Sequence, residues 1–250
     1  MRRHAPKPVF RIIEVRFPSV LRIEAELPAG FQDRIRQMLP IYREAEPEIL
    51  PTGIPLPEEL ASLVRAGLKK PRAFASADER WVVTLTKDFL ALSTKHYVRW
   101  EEFRRYLDAA LSALEAEFAP ALYSRIGLRY QNVVRRTVLG LGDVVWSDLL
   151  RHHLAGELSE PDLAPFVEGT ARQTVVRLSN FDSKVAIRHG LVTHDNEQCY
   201  AIDNDFYTET NTECANVVPI LQFFSAQAHR LFRWCVTDRL HDAMGPKPLA

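Results

Sequence analysis

The sequence predicts an α+β fold: a mainly antiparallel sheet or sheets, amphipathic helices packed on one face, and a long C-terminal helix. Three observations carry this prediction. Strand-length runs rich in β-branched and aromatic residues come in hairpins and threes instead of alternating strictly with helices. Two long segments repeat apolar residues at three- and four-residue spacing. Hydrophobic residues make up 46% of the 250 residues, which is enough for a sizeable core without metal or disulfide.

The first half opens with a strand, a helix and a connector. Residues 9–17 (VFRIIEVRF) are rich in β-branched and aromatic residues between Pro8 and Pro18, as is typical of a strand. Apolar residues at helical spacing predict a helix over 29–44. The proline-rich stretch that follows cannot be helical throughout, so we expect a connector that ends in a short helix over 57–69.

A hairpin, a helix and a strand complete this half. The runs 81–86 (WVVTLT) and 89–94 (FLALST) flank a Lys-Asp pair, a pattern that predicts two strands joined by a tight turn. The clearest helix of this half covers 99–118, because its apolar residues recur every three or four positions and Pro120 closes it. Residues 124–136 (SRIGLRYQNVVRR) alternate apolar and polar side chains, which predicts a strand.

The glycine-containing stretch 140–143 divides the sequence into halves, 1–139 and 140–250, which form two units or one continuous domain. The second half begins with a helix predicted over about 143–154. Three strands then follow along the sequence: 170–178, 183–193 and 197–207. The chain ends in a long helix predicted over about 216–243.

The most suggestive stretch for chemistry is the last predicted strand, where Asp203 and Asp205 fall on the same face. If Asp195-Asn196 forms a two-residue turn, Arg188 on the preceding strand lies directly opposite Asp203. Two further arginines share one face of the strand 124–136 and would complete a polar cluster. The predicted ligand-binding cluster therefore contains Arg125, Arg129, Arg188, Asp203 and Asp205.

Three interpretations of this cluster stay open. The arginines and aspartates could form a structural charge network, or they could bind an anion or another polar ligand. The two carboxylates could instead bind a divalent metal or divide acid–base work between them. The metal is disfavoured because three arginines would already neutralise the carboxylates. We therefore assign no catalytic residue, no metal ligand and no cofactor.

Familiar catalytic and targeting motifs are absent from the sequence. GxGxxG, GxxxxGK[ST], HExxH and GxSxG do not occur. The three cysteines are an odd number at wide spacing without a CxxC, which favours reduced thiols in a cytoplasmic protein. No secretory h-region follows the N-terminus and no apolar stretch reaches 18 residues, so we expect no membrane partner.

Charge and the terminal helix bear on the partner. The 32 basic and 32 acidic residues cancel, which argues against nucleic-acid binding through bulk charge. Basic and aromatic residues interleave over 95–100, so a nucleic-acid-binding module stays as a weaker alternative. Phe223, Phe232 and Trp234 lie beside the main apolar stripe of the terminal helix. That helix is thus either deeply buried or a surface for a protein partner or for self-association.

The order of the motifs resembles that of a known family. VFRIIEVRF, WVVTLTKDFLALST, a helix opened by WEEF, SRIGLRYQN and a later YAIDND strand before a terminal helix are similar to a sporadically distributed bacterial family of about 250-residue proteins. The resemblance covers nearly the whole chain. It implies no catalytic residues, because that family's function is uncharacterised. Arg125, Arg129, Asp203 and Asp205 coincide with its recognisable motifs.

Two functional hypotheses follow. The first is a non-enzymatic binding or interaction protein, a component of a bacterial defence or mobile-element-associated system. It rests on the missing catalytic motifs, on the apolar terminal helix and on the patchy distribution of the family. The second is a metal-dependent hydrolase or nuclease that uses Asp203 and Asp205, with His194 or His189 assisting.

Overall fold

The computed structural model describes residues 10–44, 71–95 and 100–245, whose strands form one nine-stranded antiparallel sheet. The strands are β1 (Phe10–Arg16), β2 (Ile41–Glu44), β3 (Arg72–Ala75), β4 (Trp81–Leu85), β5 (Phe89–Thr94), β6 (Arg125–Val134), β7 (Ala171–Arg177), β8 (Ser183–His194) and β9 (Glu197–Thr208). The helices are α1 (Arg22–Ala25), α2 (Ala29–Ile35), α3 (Trp100–Phe118), α4 (His152–Ala155), α5 (Val217–Cys235) and α6 (Asp238–Ala243). The strand order is β2-β3-β4-β5-β1-β6-β9-β8-β7.

Burial alternates along the central strands because successive side chains point to opposite faces of a sheet. On β6, Ile126, Leu128 and Tyr130 are buried on what we call the core face, while Arg125 and Arg129 lie on the opposite, open face. Pairing of β6 with β1 on one side and with β9 on the other carries this alternation across the middle of the sheet. The strands of both predicted halves therefore belong to one continuous sheet.

Two helices supply most of the helical share of the core. The buried apolar residues of α3, and those of α5 up to Ala228, fall in one hydrophobic cluster with core-face residues of β1, β6 and β9. A second cluster gathers around Tyr200 of β9 and joins the segment after β6 to the end of α5. Among the described residues, no helix is long and apolar enough to cross a membrane.

The long C-terminal helix predicted over 216–243 is in fact two helices. The break lies at Val236, whose backbone is extended (φ −114°, ψ 151°). Val236 forms a β-bridge with Leu150, and the Thr237 N–H donates to the carbonyl oxygen of Leu149. Thr237 then caps α6 by accepting from the Leu240 N–H. Tertiary pairing with a neighbouring segment therefore interrupts a pattern that is helical in the sequence.

Two other helix predictions are also wrong in their extent. The helix predicted over 29–44 ends after α2, and its last residues form β2, where Tyr42 pairs with Phe74. Pro40 separates the two elements, since proline cannot continue a helical ladder. In place of the helix predicted over 143–154, the chain forms a 3₁₀ turn at Trp146–Asp148 and the four-residue α4.

The remaining strand and helix predictions are confirmed to within about two residues at each end. Strand β3 was not predicted, because four residues carry little periodic signal. The short helix predicted over 57–69 and most of the proline-rich connector lie outside the described residues. The predicted turn at Asp195-Asn196 is confirmed, since both residues have positive φ angles of 50° and 60°, as the two-residue hairpin turn requires.

The hairpin of β7 and β8 packs closely at Gly190 on β8. A Cβ atom at this position would overlap the backbone carbonyl of Thr170, where the chain enters β7. We expect Gly190→Ala to lower the free energy of unfolding by about 1–3 kcal/mol, because backbone must shift to admit the methyl group. Gly169→Ala is the matched control, since no atom lies within 4 Å of its added Cβ. Urea denaturation measures both, and equal losses would contradict the prediction.

Candidate functional site

A row of charged side chains crosses the open face of the sheet from β1 to β8. All of its members lie at strand positions that alternate with core-face residues, so the same register that fills the core places them together. Three are acidic and four are basic. We call this set the charged row: Glu14, Arg16, Arg125, Arg129, Arg188, Asp203 and Asp205.

Asp203 is held chiefly by Arg129. The Arg129 Nε donates to Asp203 Oδ1 at 2.8 Å, and its Nη2 donates to Oδ2 at 2.5 Å. This is the bidentate geometry in which an arginine–carboxylate pair is strongest. Arg188 faces Asp203 in the strand register, as predicted, but its Nη1 lies 3.8 Å from Oδ2. Its Nε donates instead to Gln173 on β7 at 3.1 Å.

Arg125 joins the other two carboxylates. Its Nη1 donates to Glu14 Oε1 at 3.1 Å, and its Nη2 donates to Asp205 Oδ2 at 3.0 Å. The guanidinium reaches both by lying across Gly127, where a Cβ atom would overlap it. Arg16 adds a second donor to Glu14 at 2.7 Å from its Nε. A Cβ atom at position 127 would therefore force the Arg125 guanidinium out of its present position in this bridge.

The carboxylates of the row are largely withdrawn from water although they lie on the open face. The side chains of Glu14, Asp203 and Asp205 are 11–16% exposed. Burial raises the pKa of Asp205 above its ordinary value of 3.8, against the opposing effect of the surrounding arginines. Burial by itself would lower the pKa of Arg129, but the hydrogen bond and charge of Asp203 raise it. The carboxylates are thus held as partners of arginine.

This arrangement bears on the metal hypothesis. A cation that bound Asp203 and Asp205 would have to displace the guanidinium groups of Arg129 and Arg125 from the same oxygens. Within the described parts of the chain, no group of three His, Cys, Asp or Glu residues is placed to hold a metal ion. Neither of two shallow depressions, one near Asp78 and one near Glu44, is lined by a member of the row. The hydrolase hypothesis stays a prediction without added support.

The histidines named with that hypothesis do not join the carboxylates. His189 lies on the core face of β8, opposite in direction to Asp203. Its Nδ1 lies 2.6 Å from Tyr200 Oη, which itself donates to the Leu154 carbonyl oxygen at 2.8 Å. His189 is therefore the donor to Tyr200, and burial lowers its pKa. His194 is exposed and contacts the turn residue Asp195.

The sequence predicted five members of the row and missed Glu14 and Arg16. Their strand was predicted, but its place beside β6 depends on the strand order, which adjacency in sequence does not show. Glu14 is the only acidic residue in VFRIIEVRF, and this was the signal that could have drawn attention to it. The predicted cluster residues do converge, and whether they bind a ligand stays a prediction.

A second surface lies at the β7 end of the sheet. All seven residues of β7 are exposed, on both faces. Of the eleven exposed large hydrophobic residues among the described ones, six lie between residues 163 and 192. They are Leu163, Phe166, Val175, Val176, Phe181 and Val192. We call the exposed strand β7 with these six residues the β7 surface.

Comparison with known proteins assigns neither a family nor a function to this chain. Neither the protein-family models nor the curated proteins searched match the sequence. The family resemblance that rests on the sequence motifs therefore stays a prediction.

The two aspartates should respond differently to neutralisation. We expect Asp203→Asn to lower the free energy of unfolding by about 2–3 kcal/mol, because Arg129 loses a bidentate, charge-assisted partner. Asp205→Asn should cost below about 1 kcal/mol, because it also removes a carboxylate whose burial is unfavourable. Urea denaturation at pH 7 compares the variants. A loss for Asp205→Asn as large as that for Asp203→Asn would contradict this ranking.

Asp205 should also make stability depend on pH. Its pKa is raised in the folded state, so protonation favours folding. That contribution is fully present below the unfolded value of about 3.8 and is lost as the pH rises through the higher folded value. Wild type should therefore gain stability relative to Asp205→Asn as the pH falls from 7 to 4, measured by urea denaturation at each pH. A constant difference, or one of opposite sign, would refute the assignment.

Proposed function

We propose that the protein is a non-enzymatic binding protein that engages a partner at the β7 surface. The observation that carries the proposal is that every residue of β7 is exposed, together with the six exposed apolar side chains between residues 163 and 192. Val175 and Val176, as neighbours on a strand, carry exposed apolar surface to both faces of this sheet edge. Exposed apolar residues gathered at one part of a protein are typical of interaction sites. An edge strand that is exposed on both faces is a liability, because other chains can pair with it. A partner that covers β7 would remove this liability.

The charged row supports a binding protein more than an enzyme. Its three carboxylates accept hydrogen bonds from arginines at 2.5–3.1 Å, so each is held as an ion-pair partner and is not poised as a base or nucleophile. The row ties β1, β6, β9 and β8 together on the face opposite the helices. A structural role for this row is consistent with a scaffold that presents its outer hairpin to a partner.

The terminal helix offers less surface than its sequence suggested. Phe223 and Leu231 pack against the main hydrophobic cluster, and Phe232 packs against the second. Trp234, at 51%, is the one large hydrophobic residue of α5 that is exposed. A partner surface on this helix remains a prediction, and we place the interface on the β7 surface instead.

The biological system and the cellular location that we propose rest on the sequence. The resemblance to the sporadically distributed bacterial family leads us to propose a component of a defence or mobile-element-associated system. The cysteines Cys199, Cys214 and Cys235 are free thiols, which agrees with the proposed cytoplasmic location. Burial raises the pKa of each thiol, so none is activated as a nucleophile.

Site-specific crosslinking tests the proposed interface. A photo-crosslinking amino acid at Val175 should form one discrete adduct with a partner in cells that produce the protein, because this side chain is 51% exposed within the β7 surface. The same amino acid at Leu21 is the matched control. Leu21 is 71% exposed, but it directly precedes α1 and does not belong to the β7 surface. Denaturing gels and mass spectrometry identify the adducts.

Two results would overturn the proposal. One is an adduct pattern that is the same from Val175 and from Leu21, or no adduct from Val175. The other is Mg²⁺- or Mn²⁺-dependent cleavage of DNA, RNA or a phosphodiester by the purified protein that Asp203→Asn and Asp205→Asn each abolish while both variants remain folded. That second result would establish the hydrolase hypothesis in its place.

A further inference from the structure

We infer that β7 is a docking edge to which an extended acidic segment of a partner protein adds as a further antiparallel strand. This inference rests on the proposed binding function and names the partner's chemistry. Strand addition satisfies the free hydrogen-bonding groups of a sheet edge, while the side chains beside it select the partner.

The backbone of β7 is set for such an addition. The Leu178 N–H donates to the Ser183 carbonyl, and the Thr170 carbonyl accepts from the Leu191 N–H, so even-numbered residues of this stretch direct their backbone groups towards β8. Because these directions alternate along a strand, the odd-numbered residues direct their N–H and C=O groups away from the sheet. Those residues are Ala171, Gln173, Val175 and Arg177.

Edge strands in proteins are usually protected, and β7 has only one of the usual protections, the charge of Arg172 and Arg177. It is seven residues long, contains no proline and pairs with β8 without a bulge from Ala171 to Arg177. Among the described residues, the strand at the other end of the sheet is β2, which has four residues and follows directly after Pro40. The contrast between the two ends favours β7 as an edge that is kept open for use.

Charge specifies an acidic occupant. Residues 171–194 contain four lysines and arginines and a single acidic residue, Asp182. Arg172 is paired with Glu157 and Arg188 with Asp203, which leaves Arg177 and Lys184. Arg177 faces Lys184 across β7 and β8, and neither makes an ion pair with any described residue. Like charges placed opposite each other on a sheet are unfavourable. A carboxylate on an added strand next to Arg177 would relieve this repulsion.

The same charges argue against other occupants. A second copy of the chain would bring together two hairpins that are both basic. A nucleic acid would satisfy Arg177 and Lys184 but would leave the outward N–H groups and the apolar Val175 and Val176 without complementary partners. An extended peptide with an acidic residue opposite Arg177 and β-branched residues opposite the two valines complements all three features of this edge: its basic side chains, its outward backbone groups and its apolar side chains.

One backbone substitution separates strand addition from other binding at this surface. The Gln173 N–H points away from β8, so Gln173→Pro removes an outward donor without breaking the pairing that holds β7 to the sheet. Gln173→Ala is the matched control, because it removes the same side chain, with its hydrogen bond to Arg188, and keeps the N–H. Amide exchange of the β8 backbone confirms that β7 stays paired in both variants.

The probe is a disulfide-closed β-hairpin peptide whose outer strand reads Glu-Val-Val-Thr-Thr-Glu, since a preorganised strand loses less entropy on binding. Titration by NMR should show binding that Gln173→Pro weakens about tenfold or more and Gln173→Ala by less than about twofold. Joint Arg177→Glu and Lys184→Glu substitution should weaken binding to a similar extent. The control Arg230→Glu, at an exposed position on α5, should leave binding unchanged.

Several results would overturn the inference. They are no binding of the acidic hairpin at millimolar concentration, equal binding of a hairpin with lysine in place of both glutamates, equal binding of an oligothymidylate of matched charge, or equal affinity of Gln173→Pro and Gln173→Ala. If Val175 still crosslinks a partner and Gln173→Pro leaves that adduct intact, the binding function stands and strand addition is wrong. Loss of the Val175 adduct in Gln173→Pro alone supports both.

Discussion

The register between β6 and its two neighbours, β1 and β9, is the constraint on which the rest of the structure depends. On β6 the buried Ile126 and Leu128 alternate with Arg125 and Arg129. A shift by one residue would turn the arginines into the core and the apolar side chains out, so the hydrophobic core admits one register only. Because β9 obeys the same alternation, Asp203 and Asp205 arrive on the arginines' face as a consequence of packing on the other face.

The charged row is a consequence of that register, and its ion pairs in turn favour the same register over a shifted one. The ion pair between β6 and β9 at Arg129 is diagonal, since Arg129 faces Asp205 in the strand register but binds Asp203 two residues away. Burial makes the Asp205 carboxylate less favourable, so the row adds less stability than its number of contacts suggests. Its contribution is better understood as specificity, because a slipped register would leave these largely buried charges without partners.

The sheet ends differently on its two sides, and this difference gives the protein its proposed interaction site. The core-face clusters centre on the helices that cover β1, β6 and β9, while β7 lies beyond that cover with all seven residues exposed. Its attachment depends on β8 and on the close approach that Gly190 permits. An exposed strand with outward backbone groups is costly to maintain against unwanted pairing, and its basic residues limit the segments that can pair with it to acidic ones.

The sequence by itself determined most strands, the helix α3, the turn at Asp195-Asn196 and the pairing of Arg188 with Asp203, because these depend on local periodicity and on hairpin geometry. Tertiary structure alone decided the strand order, the place of Glu14 in the charged row and the break at Val236, since each arises from pairing between segments distant along the chain. It also decided how much of α5 is buried. The apolar sides of this helix are compatible in sequence with either a core or an interface, and the two clusters show that most of them pack in the core. Local pattern reports which face of an element is apolar, but only assembly decides what covers that face.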